Sequence, residues 1–203
     1  MTTPILPPAP LTALDAVNLM LKSIGQGAIN SLESSASVDA ANAKTSLQHT
    51  TREVQSRGWF FNREYDFPLQ ADDTGALMLP ENVLRFQVNP QYGHFVQRGD
   101  RLYDVEKHTA VFDPGYQVEG EIVWHLPFDD LPHTARQYIG RRAGREFQVG
   151  AVGSDLLYKF THEMEDEALT ELMREHLRAV RPNAVSDSAL VSWTAAGNLR
   201  YRR

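Results

Sequence analysis

Hydrophobic residues recur every three or four positions in the first part of the chain, and this spacing predicts two amphipathic helices. The first begins at Thr12, a candidate N-cap, and ends before Gly25. The second opens at Ser37 or Asp39 and ends at Gly58, which can adopt the left-handed conformation that terminates helices. Its apolar positions form a narrow stripe of Ala40, Ala43, Leu47 and Val54.

The hydrophobic period changes from that of a helix to that of a strand directly after Gly58, in the segment QSRGWFFNREYDFPL. Apolar residues at alternate positions, interrupted only by Arg63, predict a strand that starts at the helix end: Trp59, Phe61, Tyr65, Phe67 and Leu69. We therefore interpret Gly58, Trp59 and Phe61 as the structural junction between a helix and a β unit. Both aromatic side chains are predicted to lie in the core.

Further short segments have the composition of strands and are separated by turn residues: ALML, VLRFQV, HFVQR, RLYDV and YQVEGEIVWHL. In the last segment the apolar residues alternate with Glu119, Glu121 and His125, a pattern typical of an antiparallel sheet with one wet face. The RGD tripeptide at residues 98–100 lies between two of these segments, so it predicts a hairpin turn rather than an adhesion motif.

Helical spacing resumes after Pro127, with Asp129 or Asp130 as the candidate cap. The apolar positions of this helix follow at intervals of four: Ala135, Ile139, Ala143 and Phe147. A last helix is predicted from about Thr161 to Val180, acidic at its start and basic at its end, as the helix dipole favours. Its predicted buried side consists of Met164, Ala168, Leu172 and Val180.

Because helices and strands are segregated along the chain, the order of elements predicts an α+β fold. We expect a four-helix bundle-like domain formed by residues 11–58 plus 127–181, with an antiparallel β domain inserted at residues 59–126. Residues 1–10 contain four prolines and predict an extended N-terminal arm. Residues 182–203 are polar and weakly patterned, and they predict a C-terminal arm.

Composition narrows the functional classes. The 203 residues are 42% hydrophobic and 23% charged, which is ordinary for a globular protein, and the lack of cysteine excludes disulfides and thiolate sites. A net charge of -6 argues against a general nucleic-acid binder. No apolar run approaches the length of a membrane span and the start does not resemble a signal peptide, so we expect a soluble, unexported protein without a membrane partner.

No specific catalytic signature is present. His162 and Glu163 stand where a zinc-protease helix would begin, but Asp166 occupies the position of the second histidine. Glu119 and Glu121 share a strand face, as an acid/base pair does, and an exposed strand face gives the same pattern. We therefore expect no catalytic residue, no cofactor and no metal.

Arginines are concentrated in the second half of the chain. The group on the first of the two late helices can contact phosphates, pair with the acidic helix beside it, or meet another subunit. The group near the end is typical of a protein-docking arm. We predict a subunit or portal interface at Arg136, Arg141, Arg142, Arg145, Arg174, Arg178, Arg200, Arg202 and Arg203.

Four segments carry a resemblance: AVNLMLKSIGQGAINSLE, DAANAKTSLQHTTREVQSRGWFFNRE, LYDVEKHTAVFD and DDLPHTARQYIGRRAGREFQ. Their order and spacing resemble the tail tubular protein A family of short-tailed phages from about Leu14 to Val180, and QSRGWFFN is the most specific element. The resemblance implies a structural virion protein, the head-to-tail adaptor or gatekeeper. It implies a dodecameric ring between the portal protein and the tail nozzle protein, tail tubular protein B.

The same resemblance implies that the protein is made in the host cytoplasm and ends in the virion tail, below the portal. DNA would pass through the ring without sequence-specific binding, and a moderately acidic protein suits this because it does not retain the polyanion. Two alternatives remain open. One is a virion-associated cell-envelope hydrolase that uses Glu119, Glu121 or the acidic stretch Glu163 to Glu167, and the other is a monomeric assembly chaperone.

Overall fold

The computed structural model of the protein describes residues 10–33, 37–151 and 155–180. Within these ranges the chain forms four α-helices and two small antiparallel sheets, so the predicted α+β class is confirmed. The C-terminal arm predicted for residues 182–203 lies outside the described residues, and so do residues 1–9 of the predicted N-terminal arm.

The first two helices are α1 (Ala13–Ser23) and α2 (Val38–Gln55), each with the predicted cap. Thr12 and Asp15 form a reciprocal capping box at the start of α1, and the Ser37 side chain accepts a hydrogen bond of 3.1 Å from the Ala40 N–H. Gly58 adopts a φ of 76°, in the left-handed region, three residues after α2 ends.

The late helices are α3 (His133–Ala151) and α4 (Asp155–Val180). The helix α3 is central, because it packs against α1, α2 and α4. Asp129 was a candidate cap of α3, but it acts on a different helix. Its carboxylate accepts a 2.9 Å hydrogen bond from the Ala13 N–H and so helps to start α1. Helix α4 begins earlier than the predicted Thr161.

Five strands follow α2: β1 (Arg63–Gln70), β2 (Val83–Val88), β3 (Phe95–Arg98), β4 (Arg101–Asp104) and β5 (Gln117–Trp124). The strands β1, β5 and β2 form one antiparallel sheet in that order, and β3 and β4 form the hairpin predicted at residues 98–100. The segment ALML is not a strand. It contributes a single bridge between Met78 and Arg101.

The prediction that a strand begins at Trp59 is wrong. Residues 59–62 form a turn, and β1 begins only at Arg63. The Asn62 side chain accepts a hydrogen bond from the Trp59 N–H, which draws the backbone into the turn instead of an extended ladder. A register shift between Glu64 and Phe67 then leaves Tyr65 59% exposed.

Two apolar clusters form the interior. The helical cluster has as its larger members Val17, Met20, Leu47, Trp59, Leu131, Tyr138, Ile139 and Leu172. The sheet cluster includes Leu77, Phe86, Leu102, Val118 and Ile122. Trp59 therefore packs with the helices, together with Phe60 and Phe61, although all three follow the predicted boundary at residue 58. The domain boundaries themselves stay a prediction.

Gly120 in the central strand β5 gives a direct test of the sheet packing. A Cβ atom added there would lie 2.4 Å from the Gln87 carbonyl oxygen, a backbone atom that cannot move aside cheaply. We expect Gly120→Ala to lower the free energy of unfolding by about 2–4 kcal/mol. Urea denaturation measures this. Gly27→Ala is the matched control, because no atom lies within 4 Å of the new methyl group and its effect should stay within about 0.5 kcal/mol. Equal losses in the two variants would contradict the account.

Candidate functional site

The chain crosses between the helical cluster and the sheet cluster twice, at residues 58–62 and 125–127, and buried hydrogen bonds connect the two crossings. Gln55, at the end of α2, forms hydrogen bonds to the second crossing through both polar atoms of its side-chain amide. Its Nε2 donates to the Leu126 carbonyl oxygen at 2.9 Å, and its Oε1 accepts from the Leu126 N–H at 2.9 Å. Because Gln55 is fully buried, these bonds replace the water that the amide would otherwise need.

Asn62 makes the corresponding contacts from the first crossing. Its Nδ2 donates to the carbonyl oxygens of Gln55 at 3.0 Å and Trp124 at 2.7 Å, and its Oδ1 accepts from the Trp59 N–H at 2.8 Å. The Trp124 N–H in turn donates to the Asn62 carbonyl oxygen at 2.8 Å. We call Gln55 and Asn62 the junction clamp. The clamp satisfies polar groups from α2, from both crossings and from β5.

Aromatic packing surrounds the clamp. Trp59 is fully buried, its indole N–H donates to the Val54 carbonyl oxygen at 2.7 Å, and its ring stacks parallel to that of Phe61. Gly58 faces Val123 on β5, where an added Cβ would lie 3.2 Å from a Val123 methyl group. The three residues that we predicted as the structural junction therefore lie next to the junction clamp. Trp59 is buried in the helical cluster, and Phe61 is partly buried against that cluster.

Helix α4 reaches the same place through His176. The Nδ1 atom of this buried residue accepts a 3.1 Å hydrogen bond from the Phe60 N–H, and its ring lies edge-on to Trp59 at 5.6 Å. Burial lowers the pKa of His176 below its usual value, and the nearby Arg63 guanidinium lowers that pKa further. The neutral imidazole thus connects the C-terminal part of α4 to the first crossing.

Sequence reasoning missed Gln55, Asn62 and His176. Asn62 follows the aromatic run that predicts a strand, but its side chain accepts from the Trp59 N–H three residues earlier and so draws the backbone into a turn. Gln55 and His176 carry no local signal, because their partners are 71 and 116 residues away in sequence.

The four predicted interface arginines on α3 donate within the chain. Arg136 donates from Nε to the Leu131 carbonyl oxygen at 2.7 Å and from Nη1 to the Leu11 carbonyl oxygen at 3.2 Å. Arg142 pairs with Glu53 on α2 at 2.5 Å and with Glu146 on its own helix at 3.1 Å. These contacts connect α3 to the start of α1 and to α2.

The other two α3 arginines face α4. Arg145 pairs with Glu165, and both side chains are mostly buried. Arg141 donates to the Met164 carbonyl oxygen at 2.6 Å and lies 3.9 Å from Glu167. The Arg145–Glu165 pair is charge-assisted and mostly buried, so it contributes more than an exposed pair does. Together with the apolar packing of Ala168 and Leu172, it helps to align α3 with α4.

The remaining predicted interface residues have a different environment. Arg174 is exposed, and its Nη1 donates to the exposed Glu171 carboxylate one turn away at 2.5 Å. Arg178 is exposed in the last turn of α4. Arg200, Arg202 and Arg203 lie outside the described residues. The described candidates for an intermolecular contact are therefore the two arginines at the end of α4.

The carboxylates of the hydrolase alternative are largely used in ion pairs. Glu121 lies 2.8 Å from Arg85 and 3.9 Å from Arg63, and Glu165 is the partner of Arg145. In the described ranges, no three His, Asp or Glu side chains come together as a metal site. None of the helices searched among those residues is long and apolar enough to cross a lipid bilayer.

Comparison with known proteins adds an independent observation. A family model described as "Tail tubular protein" matches residues 14–182, a range that includes the junction and all four helices except the first residue of α1. The chain is 28% identical over 169 residues to the tail tubular protein A of Klebsiella phage KP34. That match covers 83% of this chain and 88% of the relative.

Removing the Asn62 amide tests the junction clamp. In Asn62→Ala the buried Trp59 N–H loses its partner and two carbonyl oxygens each lose a donor, so we expect the free energy of unfolding to fall by about 2–4 kcal/mol. Denaturant unfolding followed by tryptophan fluorescence measures the loss. Asn89→Ala is the control, since it removes a single exposed hydrogen bond to Asp66 and should cost less than about 1 kcal/mol. A loss no larger than that of the control would show that the clamp is dispensable.

The buried His176 predicts a pH dependence. Its pKa is lowered in the folded protein, so the unfolded chain binds the proton more readily, and the stabilisation present above about pH 6.5 is lost as the pH falls through the folded-state pKa. We expect His176→Gln, which keeps an acceptor for the Phe60 N–H, to lose less stability than the parent between about pH 7.5 and pH 5.

The exposed His49→Gln variant is the control for this experiment, and it should keep the parent's pH dependence. His125 also has a pKa lowered by burial and by Arg52, and it contributes equally to the parent and both variants. Identical pH profiles for the parent and His176→Gln would contradict the role assigned to the imidazole.

Proposed function

Because the chain belongs to the tail tubular protein family, whose members are structural components of the phage tail, we propose that it is the head-to-tail adaptor of a short-tailed phage. In this proposal copies of the chain form a dodecameric ring between the portal protein and the nozzle protein. DNA passes through the ring without sequence-specific binding. The observation that carries the proposal is the family match over residues 14–182.

The junction supports a mechanical role. An adaptor has to hold its contacts with one partner at a fixed distance from its contacts with the other. Gln55 and Asn62 connect the helices to the sheet at both crossings, and His176 adds α4 to the same point. Such a connection suits a protein that transmits position between two partners rather than one that opens and closes around a substrate.

The charges support the proposed relation to DNA. The net charge of -6 does not favour retention of a polyanion. The α3 arginines, which would be the candidates for phosphate contacts, donate instead to Glu53, Glu165 and backbone carbonyl oxygens. The chain therefore uses its cationic groups on α3 mainly to orient its own helices.

We place the portal contact at the end of α4, where Arg174 and Arg178 are exposed and where the chain continues into Arg200, Arg202 and Arg203. Exposed arginines suit recognition of acidic surfaces because their guanidinium groups can bind carboxylates in pairs of hydrogen bonds. In this proposal the α3 arginines do not contact a neighbouring subunit of the ring directly. They act on that contact indirectly, by fixing the surface that α3 and α4 present.

The test is the native mass of the purified protein, alone and after mixing with its portal protein. We expect a complex of dodecameric size with the portal. Arg174→Glu combined with Arg178→Glu should weaken that complex by on the order of tenfold or more without loss of fold, because reversed charges repel an acidic partner. Arg57→Glu, at an exposed arginine after α2, is the matched control and should bind as the parent does. A protein that stays monomeric and ignores the portal would contradict the adaptor proposal.

A further inference from the structure

Three carboxylates lie one turn apart along the side of α4 that is turned away from α3. Glu163, Glu167 and Glu171 are all exposed, and we call them the α4 row. Like charges at this spacing repel one another along a helix. Glu171 pairs with the exposed Arg174, but the side chain of Glu167 is 78% exposed and lies 3.9 Å from Arg141. The row therefore projects negative charge into the solvent.

The helix dipole does not account for the α4 row. Acidic residues are favoured in the first turn of a helix, and the sequence predicted that this helix starts at about Thr161. The helix begins instead at Asp155, so Glu163 lies about two turns inside it and Glu171 about four. The dipole gives no support to carboxylates at these positions, whereas a cation on another molecule would offset their mutual repulsion.

A face of complementary character lies on α2. Its exposed residues follow one side of the helix, and we call them the α2 face: Val38, Ala41, Asn42, Thr45, Gln48, His49 and Arg52. The structure describes α2 along its whole length, and none of its exposed residues is acidic. Within residues 10–33, 37–151 and 155–180, no ion pair involves Arg52. The α2 face thus offers a cation among small and polar side chains, which another helix can approach closely.

The α2 face and the α4 row belong to different sides of one subunit. Helix α3 packs against both α2 and α4, whereas α2 and α4 have no extensive contact with each other in the described ranges. A copy can therefore use its α2 face on one neighbour and its α4 row on the other. A contact between two unlike surfaces closes into a ring where the rotation between copies allows it, and a ring is what the proposed adaptor requires.

The junction sets Arg52 and Glu171 at similar levels in the subunit. Gln55 near the end of α2 and His176 near the end of α4 both bond to the first crossing. Arg52 lies about 5 Å before Gln55 along its helix, and Glu171 lies about 8 Å before His176 along its own. Copies related by rotation alone keep such levels aligned where the helices run along the ring axis.

We propose that the α2 face of one copy binds the α4 row of the next copy, with the Arg52 guanidinium between Glu167 and Glu171. This inference rests on the adaptor function proposed above and names the surfaces through which its subunits meet. Two exposed apolar side chains add to the contact at the end remote from the junction: Val38 is 76% exposed on the α2 face, and Met164 is 49% exposed beside the α4 row. The charges give the contact its specificity.

Reversing the charge of each surface and then mixing the two products tests the pairing. Arg52→Glu, and separately Glu167→Arg combined with Glu171→Arg, should each lower the yield of the dodecamer-sized complex with the portal protein by about tenfold or more, because like charges then meet. An equimolar mixture of the two variants should restore the yield to within about twofold of the parent, because unlike charges then meet at every contact. Misfolding of either variant cannot produce this recovery.

Two controls repeat the charge changes at exposed positions outside both surfaces: Arg57→Glu, and Glu81→Arg combined with Glu106→Arg. Both should assemble as the parent does. If the parent forms the complex and the mixture fails to recover it, or if either reversed variant assembles alone, the pairing is overturned while the adaptor proposal stands. A basic surface of the portal would then be the partner of the α4 row if only the Glu167 and Glu171 variant failed. A parent that ignores the portal overturns the adaptor proposal and this contact with it.

Disulfide formation in the portal complex gives a second measurement, because the sequence contains no cysteine of its own. Under mild oxidation, Arg52→Cys combined with Glu171→Cys should join chains into a ladder that ends at the dodecamer. Each single-cysteine variant should form dimers at least about tenfold more slowly, since identical surfaces do not meet in the proposed ring. Equal rates, or the absence of a ladder, would overturn the proposal.

Discussion

Two buried amides at the junction satisfy the polar groups of a chain that passes twice between two apolar clusters, and the rest of the structure depends on this. Each crossing exposes backbone N–H and carbonyl groups that water cannot reach, and an unpaired group there costs about 1–3 kcal/mol. Gln55 and Asn62 pair with groups from α2, β5 and both crossings. The sheet thereby takes a fixed position on the helices, although its apolar cluster is separate from theirs.

The ion pairs of α3 extend the same principle to the helices. Arg142 connects α3 to α2 through Glu53, and Arg145 connects it to α4 through Glu165. These two arginines, which the sequence suggested as part of an interface, therefore bind carboxylates of their own chain. Of the predicted interface arginines that the structure describes, Arg174 and Arg178 near the end of α4 are the exposed ones.

Local patterns were sufficient to predict the helices, because their apolar periods and caps at Thr12 and Ser37 are encoded within a few residues. Prediction failed where a distant partner decides the structure. Trp59 is in a turn rather than a strand because Asn62 bonds its N–H. The prediction that Met164 lies on the buried side of the last helix is also wrong, since Met164 is 49% exposed. The clamp itself could not be predicted, since the partner of Gln55 is Leu126, which lies 71 residues away in the sequence.

Native-state hydrogen exchange tests most directly whether the junction makes one rigid body of helices and sheet. The account predicts that the slowest amides of α2 and α3 and those of β5 open with the same free energy, in one cooperative unfolding event. If the β5 amides exchanged through an opening about 2 kcal/mol or more easier than that of the helices, the sheet would be an independent unit. That result would contradict the rigid connection on which the proposed adaptor role relies.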